Sequence, residues 1–506
     1  MSAATSTDVL VVGAGPSGLL AAIELARHGV LATVVERDRT VPREARATAI
    51  QPGTLEILAQ AGMIEQFLGA SEHVRCTRIC DEDLTPVAET RFAGAGCEWE
   101  FQCCLPQYVT EQILIDRLND LGVRVERGVT VESVHERSDG VLVNVQQADG
   151  TPDAIEASWV VGAGGAHSVT RDSMHGVLAG ETYPGSALVA DVQVSSELPR
   201  DASALIATRH GYVLLAPLPQ DRWITFIGDL EKDEADRLER DRSVAAVAAT
   251  LTHRIPAAVQ LTDVTWAAVF RMHHRLVAKL ADRHRFLLGD AGHLSSPFGG
   301  EGLNSGLHDG HNLAWKLALV LSGRAKQPLL DTFATERELA AEHVLAVSDQ
   351  VHHLAHRAVE AAQTGERLHP PTAAEAARFV RSRSMLDFRY PDSPLTGEHH
   401  TRGDRQDGLP APGDRFPGRT GLHGTTHHLL VFGPAPEARL AQLRDRWTGL
   451  VEVTEAADDD RQQAGLAADG AVLVRPDGYI GFRAAPADAA GLEAMDSHLS
   501  SYLIPA

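Results

Sequence analysis

A chain of 506 residues with 44% apolar and 23% charged residues has ordinary globular composition, with room for about three domains. That excludes a disordered tail protein, a collagen-like fibre and a small disulfide scaffold. Its 46 Lys and Arg stand against 68 Asp and Glu, a formal net charge of -22, and no run of five basic residues occurs, so a nucleic-acid partner is not expected.

In chain order, residues 8–12 are a short apolar run of the buried parallel-strand type. Residues 13–18 form a turn, 19–27 an Ala- and Leu-rich helix closed by Gly29, and 32–36 a second apolar strand, together one βαβ unit. The opening run lacks the basic segment of a signal peptide, and Gly13 and Gly15 interrupt it. No stretch of 18 apolar residues follows, so no membrane span is expected and the protein is read as cytoplasmic. Cys76 and Cys80 are four apart, Cys103 and Cys104 are adjacent, and no CxxC exists. Free thiols in a reducing cytosol are therefore expected.

Residues 112–121 carry a helical apolar face at Ile113, Leu114, Leu118 and Leu121. Segments 131–135, 141–147 and 155–161, linked by Asp139-Gly140 and Asp149-Gly150, predict a three-stranded meander. A second sheet is expected from 187–194, 212–216 and 223–229. The apolar strand 285–288 then leads through a glycine-rich turn to a helix over 307–321 and a further helical stretch over 337–363. Residues 397–420, dense in Gly, Pro, Asp and Arg, read as a linker. Beyond it, strand 429–432, helix 435–447, strand 451–454 and hairpin 471–482 make a separate small α/β unit, expected to be dispensable for cofactor binding.

Two clusters carry chemistry. Gly13-Ala14-Gly15-Pro16-Ser17-Gly18 is GxGxxG between a strand and a helix: Gly13 permits the turn, Gly15 admits a pyrophosphate, and Gly18 lets helix and strand pack. Glu36 ends the next strand 18 residues after Gly18, where it suits both ribose hydroxyls and repels a 2′-phosphate, which favours FAD or NAD over NADP as the bound nucleotide. The second cluster, Gly289-Asp290-Ala291-Gly292-His293 and on through Pro297 to Asn304, places an acid at a strand end, suited to a polyol hydroxyl, before glycines that open a helix.

Together these clusters make the chain resemble the class A flavoprotein aromatic hydroxylases, the p-hydroxybenzoate hydroxylase-like FAD monooxygenases, over about residues 8–350. Asp309, Asn312, Leu313, Trp315 and Lys316, and the segment Leu330-Asp331-Thr332-Phe333 with Glu336-Arg337, match the same family. The tail resembles the thioredoxin-like C-terminal domain of the phenol and polyketide hydroxylases, through Pro412-Gly413-Asp414 and Leu473-Val474-Arg475-Pro476-Asp477-Gly478; without a CxxC its expected role is packing or homodimerisation.

The resemblance implies an α/β fold: a Rossmann-type (GR2-like) FAD-binding domain interleaved with a mixed β-sheet substrate domain, plus the thioredoxin-like domain. The boundaries are 1–180 for FAD binding, with the meander at about 123–161; 181–275 for substrate; 276–396 for FAD binding and a helical segment; 397–420 for the linker; and 421–506 for the tail. It further implies non-covalent FAD held by Gly13, Gly15, Pro16, Ser17, Gly18, Glu36, Arg37, Arg46, Gln107, Asp290, Gly302, Leu303 and Asn304. NADPH or NADH is the reductant, O2 the oxidant and no metal is needed. The resemblance implies hydroxylation of a phenolic or polycyclic, polyketide-like ring through a C4a-hydroperoxyflavin.

Arg271, His273, His274 and Pro297 are candidate pocket residues, and Trp99, Phe101, Trp223 and Trp266 could stack on a flat substrate, although core packing is the simpler role for most of them. Baeyer–Villiger, epoxidation or ring-cleavage chemistry on the same scaffold, or a flavin-binding protein with impaired NAD(P)H turnover, are the alternatives. The absence of a WxWxIP segment argues against a halogenase. Two departures stand out. Gly164 replaces an Asp that the family usually carries after the returning strand, and Glu301 replaces a common glutamine. His352, His353 and His356 have a spacing open to metal but are read as a solvated helix face.

Overall fold

The glycine fingerprint sits on the first of three large sheets. In the computed structural model, which describes residues 5–505 apart from 196–197, 256–259, 297–298, 367–371, 401–408, 418–421, 423 and 458–459, strand Thr5–Val12 lies between Thr33–Glu36 and Pro152–Gly162 and runs parallel to both. Val9, Leu10 and Val11 are fully buried because elements cover both faces, as a central parallel strand requires. Arg285–Leu287 and Ala281–Asp282 extend the sheet at one edge and Val125–Arg127 at the other. The meander Thr130–Arg137 and Gly140–Gln146 folds back onto Pro152–Gly162. Helix Pro16–Arg27 starts inside the fingerprint, three residues before the apolar periodicity, because proline at the first helical turn loses no hydrogen bond.

The second sheet has eight strands, ordered His293–Leu294, Gln260–Leu276, Ala179–Ser195, Arg222–Leu230, Gly211–Leu218, Ala202–Thr208, Cys76–Cys80 and Pro86–Arg91. Its last two strands come from the N-terminal third of the chain, inside the stretch expected to serve FAD binding alone. Cys76–Cys80 pairs parallel with Ala202–Thr208, a non-local match that no local pattern announces. One face packs Met272, Val189, Tyr212 and Phe226 against Ala355, Ala358 and Val359 of the long helix Asp331–Thr364. The other packs Leu188, Ala190 and Ile227 beneath helices Lys232–Arg240 and Val244–Arg254.

The third sheet orders Gly397–His400, Ile480–Ala485, Gly470–Val474, His427–Phe432 and Val451–Glu455. Here the linker reading needs correction: Gly397–His400 pairs parallel with Ile480–Ala485, and Arg415 forms a buried ion pair with Glu56 at 2.8 Å. The described residues on either side of the gap are thus built into the fold; residues 401–408 and 418–420 lie outside the described residues. The closing helix Ala489–Tyr502, which the sequence reading left unassigned, covers this sheet through Leu492, Met495 and Leu499. Their i, i+3, i+7 spacing was the available signal.

This third unit is not separate. Its core includes Trp315 and Leu319 of helix Gly302–Leu321. Arg475 crosses into the first unit, donating to Glu336 Oε1 at 2.5 Å and Oε2 at 2.8 Å, and to Asp477 Oδ1 at 2.9 Å. Lys316 Nζ and Asn312 Nδ2 also donate to Glu336, at 2.7 and 2.8 Å. Burial would raise the Glu336 carboxyl, but Arg475 and Lys316 outweigh it and hold it well below the usual range. All five cysteines are free. No helix among the described residues is long and apolar enough to cross a membrane.

Candidate active site

The cradle is built by close approach. Gly13 has φ +106°, and a Cβ there would lie 2.4 Å from Ala163 O, so only glycine fits beside the returning strand. Gly15, the residue before helix Pro16–Arg27, has nothing within 4 Å of such a Cβ, which leaves open space against the first helical turn. Helix geometry leaves the first N–H groups without intrahelical acceptors, and Pro16 has none to offer. Glu36 stands at the mouth: Oε2 accepts from Ala14 N at 2.8 Å and Oε1 from Asp38 N at 2.9 Å. Arg37 is exposed beside Asp38.

The second cluster meets the first through Ser17. A Cβ at Gly289 would lie 2.6 Å from Ser17 Oγ, and one at Gly306 only 2.1 Å from it, so helices Pro16–Arg27 and Gly302–Leu321 touch almost backbone to backbone. Asp309 fixes the turn. Its Oδ2 accepts from Gly289 N at 2.9 Å and His293 Nε2 at 2.8 Å, while Oδ1 accepts from Arg337 Nε at 2.7 Å. Burial opposes its ionisation, but His293 and Arg337 overcome that and hold the carboxyl well below the ordinary range. Sequence reading matched Asp309 to the family without a role; pairing with Arg337, 28 residues on, is visible only in three dimensions.

Asp290 is then left facing outward. Its side chain is exposed, yet the surrounding protein pushes its carboxyl up against the pull of His293 and Arg46, which is the signature of a cleft floor. Arg46 (φ +26°) is exposed and paired with Glu44. Gln107 positions that segment: its Oε1 accepts from Ala47 N at 3.3 Å and its Nε2 donates to Glu111 at 2.8 Å. Asn304 is fully buried and occupied, accepting from Gln51 N and donating to Ala49 O and Gly300 O. Its side chain therefore braces the turn, so what Gly302, Leu303 and Asn304 offer a ligand is the free N–H groups of a helix start.

The other wall is the eight-stranded sheet. Strand His293–Leu294, three residues past Asp290, pairs with the end of Gln260–Leu276 and joins the two regions directly. Along that strand Phe270, Met272 and His274 face the long helix, where His274 Nδ1 meets Asp349 at 3.2 Å and Tyr183 OH donates to the same carboxylate. Arg271 and His273 alternate onto the opposite face, His273 against Thr182 at 3.0 Å. Of the sequence candidates, His274 thus lies on the face toward the long helix, and Arg271 and His273 lie on the face away from it; Pro297 lies outside the described residues. His352 is buried against Tyr183 and hydrogen-bonded to His356 at 2.9 Å, which corrects the solvated-face reading for that residue, while His353 is exposed and His356 half-buried. Trp223 is core; Trp99, Phe101 and Trp266 are partly buried packing residues.

A strand-end carboxylate, an open helix start and an exposed aspartate on a cleft floor fit an extended dinucleotide such as FAD. Comparison with known proteins agrees. Residues 6–348 match the FAD binding domain family model, and 403–501 match that of the aromatic-ring hydroxylase C-terminal domain. The chain is 30% identical to 6-methylpretetramide 4-monooxygenase of Streptomyces rimosus, over 99% of this chain and 95% of that one. Among solved structures, an anhydrotetracycline hydroxylase from Streptomyces rimosus superposes with a TM-score of 0.76 at 26% identity, covering 99% and 100% of the two chains. A ternary complex of aklavinone-11 hydroxylase with FAD and aklavinone superposes with a TM-score of 0.77 at 25% identity, covering 99% of each. The match of one family model along two thirds of the chain, and of relatives from end to end, shows that this protein belongs to the FAD-dependent aromatic-ring hydroxylases.

Proposed function

We propose that the protein uses FAD, NAD(P)H and O2 to hydroxylate a phenolic or polycyclic, polyketide-like aromatic substrate. The observation that carries this reading is the short strand His293–Leu294, which runs from the exposed Asp290 straight into the large sheet, so that a cofactor cleft and a broad wall share one edge. Relatives acting on tetracycline-type rings and on pentachlorophenol support the substrate class.

In this reading Gly13, Gly15, Pro16, Ser17 and Gly18 receive the pyrophosphate, Glu36 the ribose, Asp290 the polyol chain, and Arg46, Gln107 and the N–H groups of Gly302 to Asn304 the ring. Arg37 sits at the rim. Bound FAD supplies hydride acceptance and oxygen activation. The chain's own part is to hold the rings in register and keep water out; Tyr183, Asp349 and His274, joined by hydrogen bonds on the face of the sheet toward the long helix, are polar groups able to orient a substrate hydroxyl. Five free cysteines support a reducing, cytoplasmic setting.

The test is substrate-stimulated NAD(P)H oxidation by the purified yellow protein with a panel of polycyclic phenols, followed by mass spectrometry and NMR of the product. One added oxygen on an intact ring is expected, with FAD released on denaturation. Bound FMN, a cleaved ring, or oxidation that no phenol stimulates would overturn the proposal.

Gly164 allows a cleaner test of reduction. Its φ is -75°, and a Cβ there would meet only Ser168 at 3.6–3.8 Å, so Asp is admissible without strain. Restoring one polar contact of about 1 kcal/mol in the Gly164→Asp variant is expected to speed anaerobic reduction by NADPH or NADH about five-fold, with FAD affinity little changed. Stopped-flow traces that are unchanged or slower would sink this idea.

A further inference from the structure

Glu301 is the residue just before helix Gly302–Leu321, and its side chain makes no capping hydrogen bond. It is 1% exposed, and neither carboxyl oxygen meets a partner at hydrogen-bond geometry among the described residues. A buried carboxylate without partners is among the costliest groups a protein can carry, so such a group is expected to keep its proton. Burial accordingly pushes this carboxyl up to about 8, against the attraction of Arg383 and with the repulsion of Asp387 added.

None of the groups facing it forms an ion pair with it among the described residues. Ser348 of the long helix is a neutral hydroxyl whose interaction with the carboxyl pulls it down least of all the groups around it. Arg383 is turned to Thr77 at 3.2 Å and forms no ion pair with Glu301 among the described residues. Asp387 is compensated by Ser382 and by His343 at 3.2 Å.

The position matters because it precedes the N–H groups of Gly302, Leu303 and Asn304. Those groups are the positive end of a 20-residue helix. A carboxylate beside them would cancel that field; a neutral acid leaves it intact. We propose, resting on the FAD reading above, that Glu301 is carried as a neutral acid and acts as a charge switch on the bound flavin. The neutral form leaves a positive field that favours the electron-rich reduced ring, and loss of its proton to solvent disfavours reduction. Glu301 is thus a positioning residue for charge, acting through the helix start.

The experiment compares the holoenzyme with Glu301→Gln, which keeps the shape of the neutral acid. Spectroelectrochemical titration should give coincident flavin potentials near about pH 6. Above about pH 8 the wild-type potential should fall more steeply, so that the variant lies above it at about pH 9. Infrared spectra should show a protonated-carboxyl carbonyl band that wild type loses through the same range and the variant lacks. Parallel potentials at all pH values, or no such band, would overturn the switch while leaving the FAD reading standing. Purified protein that holds no FAD would overturn that reading and the switch with it.

Discussion

Replacing Arg475 by alanine is expected to destabilise the whole protein by about 3–5 kcal/mol, because it strips one cation from two buried carboxylates at once. Arg475 is 1% exposed, Glu336 0% and Asp477 1%. Without the guanidinium, Glu336 keeps only Lys316 as a charged partner. Asp477 keeps neutral donors, Asn312 Nδ2 at 3.1 Å and Trp315 Nε1 at 3.2 Å. The guanidinium also lies 5.6 Å from the Trp315 and Tyr479 ring centres and 5.7 Å from that of Tyr390, contacts an alanine loses.

Arg475→Lys should recover less than half of the loss, since an ammonium cannot span both carboxylates in the planar fork that the guanidinium provides. Urea unfolding with gel filtration of the FAD-loaded protein reads both effects. The same geometry reverses the expectation drawn from the linker composition: a chain ended near residue 405 loses Arg475 and most of the core around Trp315, and should fail to retain FAD. A truncated protein of unchanged stability with FAD bound would refute this account.

Asp309→Ala should be as damaging and more specific to the cofactor. It removes the acceptor of Gly289 N and leaves Arg337, fully buried, with Tyr390 and Ser305 as its remaining partners. An uncompensated buried cation costs about 3–5 kcal/mol. The turn that presents Asp290 loses its anchor, so FAD should dissociate before the protein unfolds. Asp309→Asn keeps the shape and gives a pH test. The folded carboxyl is held below its ordinary value of 3.8, so its contribution is complete above that value and is lost as pH falls beneath it. The wild-type stability should therefore drop more steeply with acid than that of Asp309→Asn. Equal acid limbs, or FAD retained by Asp309→Ala, would count against this role.

The strengths and blind spots of the sequence have the same physical origin. Patterns set by neighbouring residues were legible: the alternation of strand, glycine turn and helix at 8–36, the meander with its Asp-Gly turns, and the Ala- and Leu-rich helix after the second glycine cluster. Each follows from backbone sterics and side-chain periodicity within about twenty residues. The candidate pocket residues Arg271, His273 and His274 were named by type and position, but strand alternation turns only His274 toward the long helix and the other two to the face away from it. Nothing in the local sequence says which face will be covered.

By itself, then, the sequence determined the nucleotide-binding βαβ unit, the acidic residues at the two strand ends and the family to which they belong, since these depend on spacing along the chain. Only the tertiary structure decided the rest. It paired Cys76–Cys80 with Ala202–Thr208, set Asp309 between His293 and Arg337, ran Arg475 into Glu336, and buried Glu301 with no partner at hydrogen-bond geometry among the described residues. These are pairings of charge and of sheet edge between segments far apart in the chain. Their energies come from burial and mutual geometry, which exist only once the chain has folded.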